Sequence, residues 1–93
     1  MKPKLGNKVY CLYDNGIFVD KVGYLGKDSF IIDDFNNCKE FDSLEWFFDD
    51  FNIQWFTSLS KAKTALIDKF KDRYAGKLKV VKINDDWYEI EPV

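Results

Sequence analysis

Apolar residues alternate in short runs through the first third of the chain, follow a helical rhythm after residue 58, and alternate again near the end. Val9, Tyr10, Cys11, Leu12 and Tyr13 suit a pleated, half-buried strand, and Asn15-Gly16 behind them is the dipeptide that most readily takes the positive φ of a tight hairpin. A strand from Lys8 to Asp14 is therefore expected to return from Ile17 to about Leu25. Along the return strand the apolar set passes from Ile17 and Val19 to Val22 and Tyr24, a change of phase that predicts a bulge or strong coil at Asp20-Lys21. Gly26-Lys27-Asp28 reads as a second turn and residues 29–33 as a third strand. After the polar break Asn36-Asn37, a fourth strand is expected over residues 45–49 and a short extended piece over 54–56.

Leu59, Ala62, Leu66 and Phe70 recur at steps of three and four, joined by Ile67 and Tyr74, while Lys61, Asp68, Lys71 and Asp72 fall opposite. That is the pattern of an amphipathic helix lying on a sheet. Ser58 is placed to cap its free amides, Gly76 to stop it, and Lys69, Lys71 and Arg73 to complement the negative end of its dipole. Residues 77–83 and 87–91 alternate on either side of Asn84-Asp85-Asp86, which predicts a C-terminal hairpin. The elements add up to an α+β fold: a strongly bent antiparallel sheet or partly open small barrel, one amphipathic helix, and a hairpin completing the sheet.

Ninety-three residues make one domain, near the lower limit for a chain that buries its own core, and the aromatic content of 18% supplies large area per residue. The net charge of −2 hides an alternation of blocks. Residues 1–27 carry +3, residues 28–54 carry −7, residues 61–82 carry +6 and residues 83–93 carry −4. The start, Met1 to Gly6, lacks an apolar run long enough for a signal peptide or membrane span, which points to the cytoplasm and to no membrane partner. Cys11 and Cys38 stand apart and there is no histidine, so the chain offers neither a zinc-ligand pattern nor an activated nucleophile, and no cofactor is expected.

Other chemistry is weakly supported by the pattern. The acid pairs Asp33-Asp34, Asp49-Asp50 and Asp85-Asp86 would split to opposite faces on a strand, and as turn residues they need no catalytic explanation. The five glycines form no phosphate-cradling loop. Cys11, mid-strand, reads as a small buried hydrophobe, and Cys38, beside Lys39, as the more reactive thiol. These features together indicate a protein that is not an enzyme.

Two surfaces remain. Between Asp33 and Phe56 the chain holds eight aromatics, seven carboxylates and one lysine. A small core needs most of those rings, yet eight exceed what a strand and a loop easily bury. An apolar centre with an acidic rim at Phe41, Asp42, Glu45, Asp49, Asp50 and Phe51 would suit a basic protein partner. The alternative is a small nucleic-acid-binding barrel using Lys61, Lys69, Arg73, Lys77 and Lys79, with charge plus stacking as the mode of binding. Self-association through an open sheet edge would make a dimer rather than a monomer.

The run from Lys8 to Phe35, followed by Trp55-Phe56-Thr57-Ser58 and by Ala62 and Leu66 in the helix, resembles a group of small uncharacterised proteins of Gram-positive phages and mobile elements. In that group a strand meander precedes an aromatic-Phe-Thr-Ser strand and a helix holding an alanine and a leucine. The resemblance implies a habitat, mobile DNA in a bacterial cytosol, and carries no catalytic residue across. Where such sequences often place two glutamates in the first helical turn, this chain has Ser60-Lys61. The meander also resembles small SH3-like barrels, a likeness of fold alone.

Overall fold

A computed structural model describes residues 1–33 and 45–93. Seven strands and one α-helix occur among them, in the order β1 (Lys8–Tyr13), β2 (Gly16–Leu25), β3 (Ser29–Ile32), β4 (Trp46–Phe47), a 3-10 turn (Phe48–Asp50), β5 (Trp55–Phe56), α1 (Leu59–Phe70), β6 (Leu78–Asn84) and β7 (Trp87–Pro92). All the strand ladders are antiparallel. The long strand β2 organises them: it pairs with β1 along one side, and on its other side with β7 through Gly16–Phe18 and with β3 through Val22–Leu25. One strand thus carries two neighbours in succession on the same edge, which curls the sheet into a half-barrel. The expected α+β architecture, a bent sheet of the SH3-like kind with a helix and a C-terminal hairpin, is what the chain forms.

The curl creates two cores, one on each face of the sheet. Val9, Cys11, Val22, Phe30, Ile32, Trp46 and Trp55 fill the inside of the barrel. Leu12, Ile17, Val19, Phe56 and Ile90 meet Ala62, Leu66 and Phe70 of α1 on the outside. Strand β1 serves both, because alternate residues point to opposite faces. The same alternation explains the change of phase along β2. Pairing with β1 runs unbroken from Gly16 to Lys21, so no bulge lies at Asp20-Lys21. Ile17 and Val19 face the helix, Val22 faces the barrel, and the irregularity falls between Val22 and Tyr24. Gly23 fits there because a Cβ would strike Asp33.

Two indole N–H groups close the barrel where its end strands β4 and β5 approach. Trp46 Nε1 donates to the Leu12 carbonyl at 3.2 Å, and Trp55 Nε1 donates to the Phe47 carbonyl at 2.8 Å. The first hairpin turns one residue earlier than Asn15-Gly16 suggests: its two-residue loop is Asp14-Asn15, Asp14 takes the positive φ of 53°, and Gly16 already pairs with Tyr13. The fourth strand is shorter than expected, giving way at Phe48 to the 3-10 turn. Ser58 caps α1 by accepting from the Lys61 amide. The helix ends at Phe70 rather than at Gly76, since no residue from Lys71 to Gly76 is buried to hold another turn.

Candidate functional site

Strand alternation sorts the aromatics of the acidic segment. Trp46 turns into the barrel and is 5% exposed, so its neighbour Phe47 turns out and is 47% exposed. Trp55 and Phe56 are buried, one in each core, and Phe48 and Phe51 are half-buried against the barrel core. Phe51 packs on Trp55 at a tilt, with ring centroids 4.7 Å apart. Phe47 pairs with Ser29, and two positions along β3 Ile31 pairs with Tyr24, which is 55% exposed. Phe47 and Tyr24 therefore stand on one outer face, on strands flanking β3, about 10 Å apart in the pairing direction.

Carboxylates neighbour Phe47. Glu45, two residues before Phe47, accepts a hydrogen bond from the Ser29 hydroxyl. Asp49 and Asp50 follow in the 3-10 turn, and the Phe48 amide donates to the Asp28 carbonyl at 2.9 Å, which brings Asp28 alongside. None of these four acids forms an ion pair with a described residue, whereas Asp68, Asp85 and Glu91 at the other side of the molecule pair with Lys71, Lys82 and Lys79. Lys2 reaches the same region, its ammonium 5.9 Å above the Phe48 ring.

Of the six residues expected to form the acidic aromatic surface, Glu45, Asp49 and Asp50 lie together here. Phe51 belongs largely to the barrel core, while Phe41 and Asp42 fall outside the described residues, as do Phe35 and Cys38. Phe47 and Tyr24 are the exposed rings of this face, unidentified from composition; Tyr74, beyond α1, is exposed as well. Adjacency to Trp46 shows only that Phe47 faces the other side of the strand; Trp55 and Phe56 are adjacent too and both buried, so exposure of Phe47 follows from the uncovered outer face of β4.

The basic set is dispersed by the fold. Lys61 sits in the first turn of α1, and Lys69 in the last. Lys69 and Arg73 gather over the Phe70 ring at 5.5 and 5.1 Å, and Lys69 also donates to the Asp14 carbonyl at 3.4 Å. Lys79 is paired with Glu91 at 3.4 Å, and Lys77 is exposed before β6. Lys61 borders a shallow groove of about 440 Å³ with Asn52, Phe56, Thr64 and Asp68, whose mixed charges favour no single ligand class.

Cys11 is fully buried in the barrel core, where burial, and then the Asp20 carboxylate, hold its thiol well above the ordinary range. A thiol so placed is a packing group rather than a nucleophile. Among the described residues no cluster of three or more acids and cysteines is placed to hold a metal ion, and no helix is long and apolar enough to cross a membrane. No protein-family description, curated protein or solved structure matches the chain.

Proposed function

We propose that this chain is a non-enzymatic protein-interaction module that meets its partner through the outer face of β2, β3 and β4. The observation that carries the reading is the pair of exposed rings, Tyr24 and Phe47, on one face, with Glu45, Asp28, Asp49 and Asp50 at the Phe47 end, acids without an ion-pair partner among the described residues. Asp68, Asp85 and Glu91 each lie within ion-pair distance of a lysine; among the described residues these four acids do not. An apolar centre within an acidic rim favours a basic protein surface, because the rings supply buried area and the carboxylates attract and orient the partner. In a phage or mobile element, the setting implied by the resemblance of the sequence, such a surface can occupy the basic face of a host nuclease or regulator in place of DNA.

The test is capture from a Gram-positive lysate at low and moderate salt, with nuclease treatment in parallel. Wild type and a Tyr24→Ala/Phe47→Ala variant are compared. A protein retained after nuclease treatment and lost with the variant supports the reading. Capture that disappears with nuclease and survives the variant overturns it and favours nucleic-acid binding by Lys69 and Arg73, the two basic residues that share the Phe70 ring.

A further inference from the structure

We infer that the outer face of β2, β3 and β4 takes an arginine-bearing segment of its partner, with guanidinium groups over Phe47 and Tyr24 and the N–H donors of the one over Phe47 on its neighbouring carboxylates. The inference rests on the interaction reading above and adds the chemistry of the ligand.

The first ground is the arrangement of the face. A flat ring with a carboxylate beside it offers two kinds of contact at once, and the guanidinium is the side-chain cation that uses both, stacking through its plane and donating through its edge. Phe47 has Glu45 two residues before it and Asp49 two residues after it, and Asp28 lies across the Phe48 amide. A lysine ammonium, a compact and strongly hydrated charge, can pair with these acids but gains less from the ring. The second ground is electrostatic complementarity. Three carboxylates follow or flank Phe47 without a lysine or arginine within ion-pair distance among the described residues, so an incoming cation displaces no described cation, and at Glu45 it shares the carboxylate with the Ser29 hydroxyl.

The third ground is a cation already placed in this region by the chain itself. Lys2, exposed near the N-terminus, holds its ammonium over the Phe48 ring at the start of the same acidic turn. The chain thus shows, with its own lysine, the cation-over-ring contact that the partner's arginines would repeat at the exposed rings. Spacing adds a constraint: with Phe47 and Tyr24 about 10 Å apart across the strands and about 7 Å apart along them, two arginines would reach both rings from positions about four residues apart on an extended segment, which share a face.

The experiment is fluorescence-anisotropy titration of the full chain with a labelled peptide carrying arginine at every fourth position between glycine and serine, and with the same peptide built on lysine. The expected result is saturable binding of the arginine peptide at 50 mM salt, several-fold weaker binding of the lysine peptide, and about a tenfold loss for Tyr24→Ala/Phe47→Ala. That variant is checked for an unchanged unfolding midpoint, and Asp49→Asn provides a second, conservative variant expected to weaken binding. Equal binding of the two peptides, or arginine binding indifferent to loss of the rings, overturns the inference in favour of simple charge attraction. Absence of peptide binding overturns it as well. If nuclease-resistant capture from lysate still depends on Tyr24 and Phe47, the interaction reading stands without it; if that capture is also absent, both fall.

Discussion

The ring of Trp87 lies over the backbone of Gly16, and a Cβ built on that glycine would collide with the ring and with the Tyr88 carbonyl oxygen. Gly16 is thus needed for close approach rather than for a left-handed turn, a role that falls to Asp14. The contact lets β7 pair with β2 at Gly16–Phe18 while Trp87 packs on Phe18 at 4.6 Å between centroids. Gly16→Ala is therefore expected to destabilise the chain by about 1–3 kcal/mol through overpacking, despite the usual preference for alanine over glycine in a strand. Thermal unfolding should show a midpoint lower by several degrees. An unchanged midpoint would mean that the C-terminal hairpin is not seated on β2 in this way.

The indole contacts that close the barrel yield a graded expectation. Trp55 is fully buried and donates to the Phe47 carbonyl at 2.8 Å, so Trp55→Phe removes both a hydrogen bond and part of the core volume. A loss of about 2–4 kcal/mol follows from the unpaired carbonyl and the cavity together. Trp46 makes the longer contact of 3.2 Å to Leu12, and Trp46→Phe should cost less. Urea titration checks both: the midpoints should fall in that order with the slope unchanged. The reverse order would place the main closure of the barrel at β1 rather than between β4 and β5.

Much of this architecture is legible from periodicity, and the departures have one cause. The sequence shows which positions are apolar, but it does not show that a single sheet is covered on both faces. Ile17, Val19 and Val22 look like a broken alternation until the helix is placed on one side of β2 and the barrel on the other. The same blindness affects the candidate site. Phe47, Phe48 and Phe51 are equivalent as residue types, and only the register of the two-residue strand β4 and the packing of Phe51 against Trp55 decide that Phe47 is the exposed one. Tyr24 is legible only once the bulge at Gly23 is located, because it is the bulge that sets which way the end of β2 faces. Helix α1 was readable at its start, where Ser58 caps it, and not at its end, where burial rather than glycine sets the limit.

Helix α1 begins without an acidic residue in its first turn, and Lys61 places a positive charge where the helix dipole is already positive. Lys61→Glu and Ser60→Glu should each stabilise the chain by about 0.3–1 kcal/mol at low salt. The gain should shrink as ionic strength rises, because both positions are exposed and the interaction is screened. Thermal unfolding at two salt concentrations measures it. Destabilisation by Lys61→Glu would show that Lys61 makes a contact worth more than its unfavourable position.

Cys11 gives the chain a pH dependence whose sign can be worked out. Its thiol is held protonated in the folded state, by burial first and by Asp20 second, well above the ordinary value of 9.0. In the unfolded chain the same thiol ionises at that ordinary value, so above it the unfolded state binds fewer protons than the folded state. Stability contributed by this group is fully present below about pH 9 and declines as pH rises beyond it, because the slope of unfolding free energy with pH follows the difference in bound protons. Cys11→Val, close in volume and without a proton to lose, should flatten the alkaline limb of the stability curve measured between pH 7 and 10. Cys38 is common to both proteins and cancels in the comparison. The same burial predicts that a thiol reagent labels Cys11 only at the rate of unfolding or local opening, and that its labelling accelerates with urea. Rapid labelling of Cys11 in native buffer, or identical pH profiles for the two proteins, would contradict its place inside the barrel.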